Sequence, residues 1–128
     1  MKDKAEVIQG WMRKAQSDIV ALEASLNAGA LDAACFHAQQ SVEKYLKAFL
    51  VQSGVSFPFT HNLAKLVELC AGVDASSQSL LPIVEPLTPY AIEMRYDSEF
   101  WPDEQTAQEA RSSALAVRDF VLSRLPKD

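Results

Sequence analysis

The chain has 128 residues, 48% hydrophobic and 23% charged, with a formal net charge of -5. This balance excludes a disordered chain, and the length suffices to bury a core without a disulfide or metal staple. The negative charge argues against a general nucleic-acid binder held by bulk charge and leaves room only for a local basic patch.

Eighteen Ala and fourteen Leu against four Gly favour helices over an all-β fold. In chain order, the first predicted helix runs from Lys4 to Asn27, with Ile8, Trp11, Ala15, Ile19, Leu22 and Leu26 spaced three or four apart as one buried stripe. Asn27, Ala28, Gly29 and Ala30 make a short connection to a second helix over Leu31–Gln52, so the two should form an antiparallel hairpin. Gly29, Gly54 and Gly72 each follow a helical pattern, where a left-handed C-cap would stand. Pro58 breaks the chain into a loop, and Thr60 or Asn62 can cap a third helix ending by Ala71. Ser76 and Ser77 can open a fourth segment that Pro82, Pro86 and Pro89 should break or kink on its way to Arg95. A loop through Phe100 and Trp101 leads to a last helix from Asp103 to about Leu125, stopped by Pro126.

Charge is unevenly spread. Residues 1–54 carry six basic and six acidic side chains, whereas residues 55–102 carry two basic and six acidic, so no segment is a basic arm. Cys35 and Cys70 lie among apolar neighbours and read as small buried hydrophobes in a reducing compartment. The N-terminus is charged and lacks an apolar leader. No apolar run approaches the roughly 18 residues of a membrane span. A single domain over residues 1–128, cytoplasmic and without membrane contact, is the expectation.

Most enzyme signatures are absent: there is no Gly-rich phosphate loop, no His-Glu-x-x-His and no Cys-x-x-Cys. His37 and His61 are the only histidines and have no ligand-like spacing to the cysteines, so neither a metal nor a cofactor is expected. Three polar groups stand out. Gln40, Glu43 and Lys47 fall at i, i+3 and i+7 on one face of the second helix, with Lys44 beside them. The face reads either as a solvated surface with a Glu43–Lys47 pair or as a groove for a phosphate or nucleotide. His61, at the start of the third helix, can hydrogen-bond locally or donate to an anion. Arg95 can pair with Glu93 or Asp97 or hold a phosphate, and Tyr96, Phe100 and Trp101 can stack on a base, on a partner or in the core.

Trp11, Lys14, Ala15 and Asp18 in the first helix, Phe36, Gln39, Gln40, Glu43, Lys44, Lys47 and Ala48 in the second, then Thr60, His61, Leu63 and Leu66, then Arg95 and Tyr96, in this order and spacing, resemble the HEPN domain family. The resemblance spans residues 8 to 120, nearly the whole chain. It implies an all-α, up-and-down four-helix bundle with a short additional helix. A homodimer and a minimal nucleotidyltransferase partner, often in a toxin–antitoxin pair, are implied as well. Many members of the family are metal-independent RNases that use an Arg and a His separated by four to six residues. Here the positions five to seven after Arg95 are Phe100, Trp101 and Pro102, and no His follows His61, so the RNase motif is missing. The resemblance carries over a polar set, Gln40, Glu43, Lys44, Lys47, His61, Arg95 and Tyr96, as a ligand-binding site without catalytic residues. It also places Asp18 inside the bundle, paired with Lys47 or Arg95. The expected function is binding of a nucleotide, of the nucleotidyltransferase, or of both. A metal-independent RNase toxin with an altered site and a structural adaptor bundle are the alternatives.

Overall fold

A computed structural model describes residues 3–125, and every regular element among them is helical. Two long helices, α1 (Lys4–Ala28) and α2 (Leu31–Gln52), form the expected hairpin. A short α3 (Leu63–Ala71) follows. Then comes a broken arm: a 3-10 turn (Ala75–Leu80), α4 (Leu81–Val84), a second 3-10 turn (Glu85–Leu87) and α5 (Tyr90–Tyr96). The last helix is α6 (Glu104–Arg124). Together α1, α2, the broken arm and α6 make the four members of an up-and-down bundle, and α3 is the short extra helix. No helix among the described residues is long and apolar enough to cross a membrane. Pro126, the expected stop for the last helix, lies outside the described residues.

Local chemistry sets the boundaries. Asp3, Asn62 and Asp103 each accept a hydrogen bond from the backbone N–H three residues on, which satisfies a donor that the first helical turn leaves free. Thr60, the other cap candidate, instead accepts from the N–H of Asn62. Gly29 turns the chain with φ 77°, and the N–H groups of Gly29 and Ala30 bond back to Leu26 and Ser25. Gly54 does the same at φ 72°, with Gly54 and Val55 bonding back to Val51 and Leu50. Gly72 departs from expectation. Its φ is -64°, right-handed, and the α3 carbonyls are satisfied without a left-handed residue: the N–H of Gly72 bonds back to Glu68 and those of Val73 and Asp74 to Cys70. Asp74, rather than Ser76 or Ser77, caps that segment, accepting from the N–H of Ser76. The prolines break the arm as expected. Pro82 and Pro86 sit in the first turns of their segments and Pro89 just before α5, positions where a missing N–H costs least.

Fourteen of the 22 residues of α2 are buried, which makes it the central helix. Ala15, Ile19 and Leu22 of α1 close one flank, and Ala107, Ala110, Ala114, Val117 and Val121 of α6 close another. Alanines on α6 let its backbone approach α2 closely. Leu63, Leu66, Val67 and Cys70 of α3, with Val84, Leu87 and Ala91 of the broken arm, cover the rest. Each large side chain so enclosed contributes about 1.5–3 kcal/mol of burial. A polar residue on α2 is therefore inside the protein unless its position points outward.

Candidate functional site

Glu43 is the centre of the polar cluster on α2. Its side chain is only 6% exposed, yet it is a charged acceptor with full partners. Oε2 receives the Lys47 ammonium at 2.9 Å. Oε1 receives His61 Nδ1 at 2.7 Å and Gln39 Nε2 at 3.3 Å. Gln39 also donates to the His61 carbonyl at 3.2 Å, and Gln40 donates to Gln39 Oε1 at 2.6 Å. Gln40, Glu43 and Lys47 thus share one face as their spacing indicated, but that face is buried against the α2–α3 loop and is not solvated. Burial pushes the Glu43 carboxyl upward. Hydrogen bonds from Lys47 and His61 outweigh it and hold the carboxyl below its ordinary range.

An ionised carboxylate only accepts, so His61 carries its proton on Nδ1 and directs Nε2 away from Glu43. Nε2 has no hydrogen-bond partner among the described residues, and the side chain is 39% exposed. Phe59 lies edge-on to the imidazole with ring centres 5.9 Å apart, and is 94% exposed. Beneath it, Lys47 Nζ lies 5.3 Å from the Trp11 ring centre and 5.8 Å from those of Phe57 and Phe59. Three aromatic rings and one carboxylate therefore enclose the ammonium.

Lys44 belongs to a different cluster. It points toward α1, where its Nζ meets Asp18 Oδ2 at 2.5 Å, while His37 Nδ1 meets Asp18 Oδ1 at 2.9 Å. Asp18 is buried inside the bundle, as the resemblance implied, but its partners are Lys44 and His37 instead of Lys47 or Arg95. The helical register is the reason: His37 and Lys44, seven residues apart, share the α1-facing side of α2, whereas Glu43 and Lys47 are rotated toward the α2–α3 loop.

Arg95 and Tyr96 end α5. The Arg95 guanidinium carbon lies 4.9 Å from the Phe36 ring centre, and Arg95 makes no ion pair with Glu93 or Asp97. Tyr96 is exposed. Of the seven candidates, the structure brings Gln40, Glu43, Lys47 and His61 together, sends Lys44 to Asp18, and leaves Arg95 and Tyr96 on α5. Gln39 figured in the sequence only as part of the resemblance, and its role in tying Glu43 to the loop was missed, as were the roles of Trp11, Phe57 and Phe59 around Lys47. The Gln39–Glu43 spacing was a signal for the first, but nothing in the spacing pointed the loop aromatics at a lysine.

Cys35 and Cys70 are free and buried, their thiols pushed up by burial to about 11 and about 12, so neither offers a thiolate. Among the described residues no group of three or more His, Cys, Asp or Glu side chains is placed to hold a metal ion.

The model of the HEPN domain family matches residues 8–125. The fold is similar to the crystal structure of TT1696 from Thermus thermophilus (TM-score 0.76, 24% identity, covering 92% of this chain and 98% of that one). It is also similar to the crystal structure of ST0689, an archaeal HEPN homologue (TM-score 0.73, 21% identity, covering 97% and 98%). No curated protein matches the sequence.

Proposed function

Given that the chain belongs to the HEPN domain family, we propose that it is a binding member of that family, taking a nucleotide, a minimal nucleotidyltransferase partner, or both, in a toxin–antitoxin type of system. The observation that carries the reading is the pairing of a fixed imidazole with an open aromatic face. His61 is held by buried Glu43 with Nε2 outward, and Phe59 stands fully exposed beside it. An imidazole fixed in this way donates to a phosphate when protonated, and an exposed phenyl ring stacks on a base. The neutralised Glu43–Lys47 pair positions these groups and does not bind phosphate itself, which moves Lys47 from the expected ligand contact to a supporting role.

The Arg–His spacing of the family's RNases is absent, and Arg95 and His61 belong to different clusters. Both features support binding over cleavage. Homodimerisation is part of the same proposal: Ile92 and Tyr96, four residues apart on α5, and Trp101 in the following loop expose apolar surface of the kind found at the centre of interfaces.

Calorimetric titration of the purified protein with ATP and other nucleotides tests the ligand half. Saturable binding lost in both His61→Ala and Phe59→Ala supports the reading, and no binding to any nucleotide sinks that half. The partner half is tested by reading the adjacent reading frame: a minimal nucleotidyltransferase encoded there that co-purifies with the protein supports it, and its absence or failure to bind counts against it. RNA that stays intact in excess protein with a chelator present agrees with the proposal, while His61-dependent decay would restore the nuclease alternative.

A further inference from the structure

We infer that the groove between the broken arm and α6 is a binding site for a primary ammonium group on a short alkyl chain. None of the residues that line it belongs to the His61 cluster, and it is independent of that reading. Its volume is about 110 Å³. A cavity of about 150 Å³ holds benzene, so this one suits about four non-hydrogen atoms, the size of a propylammonium ion or of the end of a lysine side chain.

The arm supplies an apolar wall of Pro82, Ile83, Pro86 and Leu87. Each proline fixes its own φ, so this wall is set before a ligand arrives, and the methylenes of an alkyl chain leave water against it. The polar groups come mainly from α6. Thr106, Glu109 and Ser113 stand at i, i+3 and i+7, which places them on one face of the helix, and all three line the groove with Tyr90 of α5. Gln105 donates to Glu109 Oε1 at 3.1 Å, whereas Oε2 has no partner and Glu109 forms no ion pair among the described residues. The hydroxyls of Ser113 and Tyr90 have no hydrogen-bond partner there either. An ammonium carries three donors and no acceptor, so one open carboxylate oxygen and neutral hydroxyl oxygens answer it. A guanidinium pairs best with both oxygens of a carboxylate, and Gln105 holds one of them.

The surroundings favour a cation. Residues 81–113 carry seven carboxylates and two basic side chains. Both basic groups are engaged elsewhere, Arg111 by Glu23 and Arg95 over Phe36. Burial pushes the Tyr90 phenol upward, Cys35, Glu93 and Glu109 add to that push, and no cation opposes it. The groove therefore stands in a negative potential that attracts an ammonium and repels an anion.

Titration of the isotope-labelled full chain with propylammonium chloride, at constant pH and ionic strength and followed through the backbone amide shifts, tests the site. The expected result is a saturable shift centred on Leu87, Glu109 and Ser113, half complete at about 1–10 mM, that weakens about tenfold in Glu109→Gln. Glu109 is exposed, so this variant should fold as the parent does, which its far-UV spectrum checks. Glu99→Gln, which removes the same charge outside the groove, should change the affinity by less than about twofold. Propanol and propionate keep the size of the probe but lose or reverse its charge, and each should bind at least about tenfold more weakly. No saturable shift up to about 50 mM, equal binding of propanol, or equal weakening in Glu99→Gln overturns the site. Nα-acetyl-lysine amide separates the two sources of such a group. Binding as tight as that of propylammonium supports the site with a lysine side chain as its occupant, and much weaker binding supports it with a free amine.

Discussion

Glu43 and Asp18 are bonded in the same way: each buried carboxylate divides its two oxygens between a lysine ammonium of α2 and an imidazole Nδ1. Asp18 so joins α1 to α2, and Glu43 joins α2 to the loop before α3. Both histidines of the chain are fixed in orientation by these contacts, with Nε2 directed away from the carboxylate. The arrangement costs desolvation of two carboxylates. Close ammonium partners and further hydrogen bonds offset it, so the groups are held together by mutual need more than by net gain.

Removing one member of the more enclosed pair should therefore be expensive. Glu43→Ala leaves the Lys47 ammonium buried without its counter-charge, and the expected loss is about 3–5 kcal/mol in urea unfolding. Replacing Glu43 and Lys47 together with methionine should cost much less than the sum of the single changes, since no unpaired charge remains. A loss below about 1 kcal/mol for Glu43→Ala would show that Lys47 finds water instead.

The same carboxylate predicts a direction with pH. The folded carboxyl of Glu43 titrates below its ordinary 4.5. Its stabilisation is fully present above that ordinary value and is lost as pH falls through the folded one. Stability measured from pH 6 downward should fall more steeply in the parent protein than in Glu43→Gln. Parallel curves would mean that other carboxylates control acid unfolding.

Cys35 and Cys70 should be silent in the folded protein. With thiols raised to about 11 and about 12 by burial, almost no thiolate is present near pH 8, and the side chains are enclosed as well. A disulfide reagent should label both only as fast as the protein opens, and both at once in urea. Rapid labelling of either under native conditions would contradict the packing of α2 or α3.

Two glycines should respond to alanine with opposite signs. Gly29 has open space around its Cβ position but a φ of +77°, so Gly29→Ala should cost about 1–2 kcal/mol from backbone conformation alone. Gly10 lies within α1 with nothing near it and no unusual φ, so Gly10→Ala should stabilise by about 0.5–1 kcal/mol. Thermal melts of the two variants should move in opposite directions.

The sequence by itself determined the helices, because their signals are local. Apolar spacing, Asn62 as one of two cap candidates, Asp103 as the start of the last helix, Gly29 as a left-handed stop and the prolines of the broken arm act within a few residues of where they stand, whereas the Asp3 cap was not read. Gly72 escaped that reading, since whether a glycine must turn left-handed depends on where the chain goes next. The shared face of Gln40, Glu43 and Lys47 was legible too, as a matter of helical period. What covers that face was not. Only the packed structure buries it under the α2–α3 loop, gives Glu43 to His61, sends Lys44 to Asp18 and places Arg95 on Phe36. Those partners are 18 to 59 positions apart in the chain. A side chain's spacing fixes the side of the helix from which it leaves, but its charge is answered by whatever other segments bring to that side, and helix packing decides which segments those are.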